Sequence, residues 1–232
     1  MKPRVPGAIA VAVACLAGCT GSLFQSKSAP PTIYLLSAPG AGTPAAVAPA
    51  AGGPASVTPA VEIPVDLAVL KPKLRPGLES DRIAVLYPDR HLDYFADARW
   101  SGPLGEVLQD FAVQEFHSHA NLRTVSGDAS VFASAYWLEL EVSDFQAEYG
   151  SAAPAPVVHV HFLARIGSSA ERRILGQFEA SAQQPAAENR LTAIVDAYAR
   201  AANAALAELV AQVDETLVKS QKLDKPVASA IR

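Results

Sequence analysis

Cysteine is nearly absent from this 232-residue chain, which has only Cys15 and Cys19. Nothing after position 19 can close a disulfide, attack as a thiolate or give sulfur to zinc. Charge is also sparse: 18% of residues are Asp, Glu, Lys or Arg, with 19 basic against 23 acidic. Such a balance lacks the concentrated basic face that nucleic acid requires, and nucleic-acid partners are not expected. Beyond the first twenty residues no uninterrupted apolar run approaches the roughly 20 residues of a membrane helix. Catalytic signatures are missing too. There is no Gly-x-Ser-x-Gly elbow, no phosphate-binding Gly-x-x-x-x-Gly-Lys and no His-Glu-x-x-His. Pro39-Gly40-Ala41-Gly42 lies in an Ala/Pro-rich segment outside any strand–turn–helix context, so it is not read as a nucleotide loop.

What the chain does carry starts at its front. Lys2 and Arg4 precede an uncharged run, Ala8 to Leu16, and then Leu16-Ala17-Gly18-Cys19. The length and flanks suit a signal peptide and are too short for a membrane span. Leu-Ala-Gly-Cys resembles the lipobox of bacterial lipoproteins. That resemblance implies a diacylglycerol on the Cys19 thiol, cleavage after Gly18 and acylation of the freed amine. At about 0.8 kcal/mol per buried methylene, three chains make a lasting anchor where one is marginal. Thr20, in place of the Asp that retains such proteins at the inner membrane, implies the outer membrane. Loss of Lys2 and Arg4 with the leader leaves 17 basic against 23 acidic residues, a net charge of −6. Residues 1–18 are thus expected to be a signal peptide and 19–32 a lipidated tether.

The remainder reads as one domain, 33–217, followed by a polar tail, 218–232. Ile33 to Leu36 has strand-like content. Residues 39–64 are rich in Ala and Pro and read as a flexible insertion. Alternation predicts strands at Val65–Lys71, with Val65, Leu67 and Val69 on one face, and at Arg82–Tyr87, with Ile83, Val85 and Tyr87 together. Arg75-Pro76-Gly77-Leu78 is a turn. Ser101 is a candidate N-cap, with Pro103 near the first turn of a helix running to about His117. Its stripe is Leu104, Val107, Leu108, Phe111 and Phe116, with Glu106, Gln109, Asp110 and Gln114 facing water.

A short strand at Asn121–Val125 precedes three antiparallel candidates. Tyr136–Phe145 sets Tyr136, Leu138, Leu140 and Val142 opposite Trp137, Glu139, Glu141 and Ser143. Val157–Ile166 sets Val158, Val160, Phe162, Ala164 and Ile166 opposite His159 and His161. Arg172–Gln183 points Ile174, Phe178, Ala180 and Ala182 inward. From Ala187 to about Leu217, apolar positions recur at three and four, predicting an Ala-rich helix of some 28 residues. The predicted fold class is α/β (an α+β sandwich): a largely antiparallel sheet with two helices on one face.

Chemistry has few candidates. His159 and His161 alternate on one strand, with Glu139 and Glu141 on its neighbour, and together they would suit a divalent metal. Cross-strand Glu–His pairing explains the same residues without a metal, and a third committed ligand is missing. His117 and His119 suit a helix C-terminus, where cations complement the dipole. Neither a metal nor any other cofactor is expected.

One constellation remains: Arg82-Ile83-Ala84-Val85, Leu92-Asp93-Tyr94-Phe95 and Arg99-Trp100, leading to Pro103-Leu104. Tyr34-Leu35-Leu36 lies upstream, and Tyr136-Trp137-Leu138 to Phe145 downstream. In order and spacing these residues resemble the ABC-type transport auxiliary lipoproteins, from about Ile33 to Leu217. The resemblance implies a non-enzymatic periplasmic component of MCE-type lipid or solvent transport systems, anchored by its lipid in the inner leaflet of the outer membrane. Its implied partners are a permease, an ATPase and an MCE-domain protein. Leu92, Asp93, Tyr94, Arg99 and Trp100 are the candidate partner or structural motif, and a core role for Trp100 is weighed beside partner contact. The 39–64 insertion departs from the family pattern. Two other readings stay open: a carrier holding lipid in a groove between the long helix and the sheet, and an envelope hydrolase. Homo-oligomerisation is compatible with all three.

Overall fold

The computed structural model describes residues 30–37, 63–127, 134–151 and 153–228. The leader, Cys19 and residues 39–62 of the insertion lie outside the described residues.

The longest ladders come from three consecutive strands with alternating sequences: β7 (Tyr136–Glu148), β8 (Val157–Ser168) and β9 (Arg173–Pro185). They pair antiparallel along nearly their whole lengths. The other edge of β7 receives three short strands in succession, all parallel to it. β2 (Ile63–Val69) pairs near Tyr136, β3 (Lys73–Leu74) near Glu141 and β4 (Arg82–Leu86) near Ala147. β6 (Leu122–Ser126) extends the sheet beyond β2, while β5 (Leu92–Trp100) and β1 (Thr32–Tyr34) extend it beyond β4. Ile63 and Pro64, which composition places in the insertion, belong to β2.

Both helices cover one face. The first, α1 (Leu104–His119), buries Leu104, Leu108, Phe111, Ala112 and Phe116. Ser101 does not cap it: Pro103 occupies that position, and the backbone N–H of Leu104 is satisfied by the Ser80 carbonyl at 3.0 Å. Gln109 turns back rather than facing water, donating to the Val69 carbonyl at 2.9 Å. The second helix, α2 (Leu191–Ala228), begins four residues later than expected. It also runs through Pro226, into the stretch expected to be a polar tail. Its stripe, including Ile194, Tyr198, Ala202, Leu209, Val213 and Leu217, is completely or almost completely buried against the sheet.

Two bulges decide which side chains reach that core. In β7, Val142 pairs with Phe162 but Asp144 with His161, so Ser143 is the extra residue. The alternation restarts one position late, and Phe145 and Ala147 turn inward. In β9, Ile166 pairs with Gly176 but Gly167 with Ile174, so Leu175 is the extra residue. Ile174 consequently lies on the open face at 53% exposure instead of inward, while Phe178, Ala180 and Ala182 keep the expected side. A larger irregularity bends β5 between Tyr94 and Arg99, with Asp97 at φ 53°.

Candidate functional site

The five motif residues on β5 divide between surface and core. Trp100 is 1% exposed and sits edge-on to Phe145 at 6.0 Å and to Tyr198 at 5.3 Å. It anchors the core between β7 and α2. Arg99 lies on the surface and donates to Asp81 Oδ1 at 2.6 Å. Tyr94 donates through its hydroxyl to the Gly77 carbonyl at 2.7 Å, and the Arg82 guanidinium lies 3.9 Å above its ring. Leu92 packs across Gly77, which takes φ 95° in the turn and has no room for a Cβ. Asp93 is exposed and accepts from the Tyr94 backbone N–H at 2.7 Å. The motif ties the 75–82 turn to the sheet and leaves polar ends of Asp93 and Arg99 in water.

The carrier reading needed a groove between the long helix and the sheet. That space is filled: Trp100, Phe145 and Tyr198 form one aromatic cluster, and the Tyr198 hydroxyl donates to the Ala84 carbonyl at 2.6 Å. Burial raises the Tyr198 pKa far above the phenol range.

The opposite sheet face is the open one, and it has a polar band and an apolar groove. In the band, the register separates the proposed metal ligands. His161 pairs with Asp144 and His159 with Gln146, while Glu139 lies opposite Arg165 and Glu141 opposite Leu163. His161 Nε2 meets Glu179 Oε1 at 2.7 Å and its Nδ1 shares a hydrogen bond with Ser143 Oγ. His159 Nε2 is 3.7 Å from Glu148 Oε2. Among the described residues no three His, Cys, Asp or Glu side chains converge as a metal site. The Ser143–His161–Glu179 chain has the residue types of a hydrolytic relay. Glu179 is 69% exposed, however, so water screens the charge that a buried carboxylate would hold against an imidazolium. At the end of α1, His119 Nδ1 lies 3.3 Å from the Glu115 carboxylate and 3.2 Å from the Glu115 carbonyl.

The groove lies at the Tyr136 end of the same face. It encloses about 440 Å³ and is lined by Ala68, Leu70, Tyr136 and Trp137, with Glu139 at its rim. The Trp137 indole lies flat on Gly167, where a Cβ would come within 2.2 Å of the ring. Glycine is required there because the indole occupies the side-chain position. Glu139 contacts both Lys73 and Arg165, so the groove edge is charged and its floor apolar. Alternation along β7 places Trp137 outward, on the open face. The groove itself was missed, because it forms only when β2 docks beside β7.

Comparison with known proteins bears on what these surfaces serve. The family described as ABC-type transport auxiliary lipoprotein component matches residues 44–213. The chain belongs to that family. A crystal structure of a Xanthomonas campestris protein shares 22% identity and a TM-score of 0.62, covering 69% of this chain and 90% of its own. An uncharacterized protein of known crystal structure shares 12% identity and a TM-score of 0.57, over 81% of this chain and 98% of that one. These two likenesses establish the fold alone. The PelC dodecamer from Paraburkholderia phytofirmans is 15% identical over 66% of this chain and 90% of its own, but at a TM-score of 0.39 it decides nothing. No curated protein matches the chain by sequence. Family membership associates this auxiliary lipoprotein with an ABC transport system of the cell envelope, and none of the described helices is long and apolar enough to cross a membrane.

Proposed function

We propose that this auxiliary lipoprotein is anchored through acylated Cys19 in the inner leaflet of the outer membrane. There it docks the periplasmic end of an MCE-linked lipid transport system, and it acts by binding partners rather than by catalysis. The observation that carries this reading is the family match over residues 44–213. The lipobox-like Leu16-Ala17-Gly18-Cys19 and Thr20 support the anchor and its membrane, and residues 1–18 are assigned to a signal peptide removed before Cys19. The filled helix–sheet interface and the solvent-screened Ser143–His161–Glu179 chain favour docking over carriage or hydrolysis.

The docking surface is assigned to the Trp137 groove. An apolar floor with a charged rim is the arrangement of an interface anchor pocket, where buried contact supplies affinity and rim charges supply register. A photo-crosslinking amino acid placed at Glu141, on this face, should join the MCE-domain protein in intact cells. The same probe at Asp196, on the exposed side of α2, should not. Equal capture from both positions, or capture from Asp196 alone, would overturn the assignment.

A further inference from the structure

Strand register gathers several features at the end of the sheet opposite the Trp137 groove. Leu86 pairs with both Leu92 and Glu148, Glu148 with Val157, and Val157 with Pro185. The Tyr87–His91 hairpin, the β7–β8 loop and the Ala186–Arg190 connection to α2 therefore lie together. β1 runs parallel to β5, with Thr32 beside Ala98 and Tyr34 beside Trp100. Pro31, just before Thr32, therefore lies toward the Leu92 side, which is this same end.

Three rings stack there. His91 lies on Tyr87 at 4.8 Å and Tyr87 on Tyr149 at 5.6 Å, with interplanar angles of 14° and 10°. The Tyr149 hydroxyl donates to Asn189 Oδ1 at 2.7 Å, tying the stack to the start of α2, and His91 Nδ1 meets Asp89 at 2.7 Å. Tyr87 remains 36% exposed. Beside the stack, the sequence from Gly150 to Pro156 carries no charge. The charged residues near the stack are Asp89, Glu148 and Glu188 against Arg90 and Arg190, with Glu148 lying 3.7 Å from His159 Nε2. At the far end, the β8–β9 turn instead bears Glu171, Arg172 and Arg173 in succession.

We propose that the ring-stack end is a membrane-contact surface: Tyr87, His91 and Tyr149 lie in the phospholipid headgroup layer, directly beneath the tethered domain. Rings with an apolar body and a polar edge belong at that depth, and the Gly150–Pro156 stretch brings no charge to it. The inference rests on the lipoprotein anchor and extends it from a point of attachment to an orientation. The Trp137 groove then faces away from the lipid, about 40 Å along a 13-residue strand, toward a partner spanning the periplasm.

The test uses the lipidated chain in vesicles of phosphatidylethanolamine and phosphatidylglycerol carrying a headgroup-linked energy acceptor. Cys19 is consumed by lipid, so a single added cysteine takes the donor: Asp89→Cys or Ala153→Cys at the ring-stack end, Glu171→Cys at the other. Transfer from 89 and 153 should exceed that from 171 several-fold. Adding Tyr87→Ser should lower transfer from 153 while circular dichroism stays unchanged. Equal transfer at both ends, a reversed order, or no response to Tyr87→Ser in the folded variant would overturn the proposal. Mass spectrometry of the N-terminal peptide separates the two ideas. Lipidated protein with equal transfer refutes the orientation alone, whereas unlipidated protein refutes the anchor and the proposal together.

Discussion

Replacing Trp100 with alanine should remove a core anchor and leave the open face intact. The indole is 1% exposed and makes two edge-on ring contacts, at 6.0 Å and 5.3 Å. Truncating a buried Trp costs about 3–5 kcal/mol, and the lost ring geometry places this site toward the upper part of that range. Domains of this kind are stable by only about 5–15 kcal/mol, so one substitution would consume a large share. At roughly 2–4 °C per kcal/mol for a domain of this size, the melting temperature should fall by about 10 °C or more. Urea unfolding followed by far-ultraviolet circular dichroism measures the loss without relying on the deleted fluorophore, and Trp137 emission provides a second probe. Arg99→Ala is the internal comparison. Its ion pair with Asp81 is 43% and 37% exposed, and such pairs contribute less than about 1 kcal/mol. If Trp100→Ala cost no more than Arg99→Ala, the assignment of Trp100 to the core would be wrong.

Gly167→Ala drives a Cβ to within 2.2 Å of the Trp137 ring. It should displace the indole at a cost of about 1–3 kcal/mol and shift Trp137 emission, read in a Trp100→Phe background. Asp214 is partly buried, its Oδ1 has no partner among the described residues, and desolvation raises its pKa. A raised folded-state pKa means that the native state holds the proton more tightly than the unfolded chain. Stability therefore declines as pH rises from the unfolded value through the folded one. Asp214→Asn should stabilise the protein at pH 7, with the advantage shrinking toward pH 4 in urea titrations; a destabilised variant at pH 7 would contradict this. Cys19→Ala should leave uncleaved precursor at the inner membrane, and ordinary outer-membrane fractionation would refute lipidation.

Local periodicity made the longest elements legible, and long-range pairing hid the rest. The Leu191–Leu217 stripe and the alternation of Val158 to Ile166 each report a buried face directly, because period and burial coincide. The bulges at Ser143 and Leu175 left no compositional mark, and so Phe145 was unplaced and Ile174 assigned to the wrong face. β5 escaped because its register breaks between Tyr94 and Arg99, which destroys any alternation. Ser101 looked like a cap by residue type, but a carbonyl from Ser80, distant in the fold's wiring, does that work. The two histidines and two glutamates shared a face as expected. The register then offset them along the strands, something no spacing within either strand could reveal. The Trp137 groove depends on β2 docking parallel to β7 across a long stretch of sequence, and it was invisible for the same reason.

Docking to a transport assembly should leave the partners bound to the purified protein. Affinity purification of the lipidated full chain from gently solubilised envelopes, with mass spectrometry of what remains bound, tests it most directly. An MCE-domain protein should be recovered together with its permease and ATPase, and should be lost on Trp137→Glu in a variant that still folds. Repeated clean preparations of lipidated protein without any MCE-domain partner would contradict it.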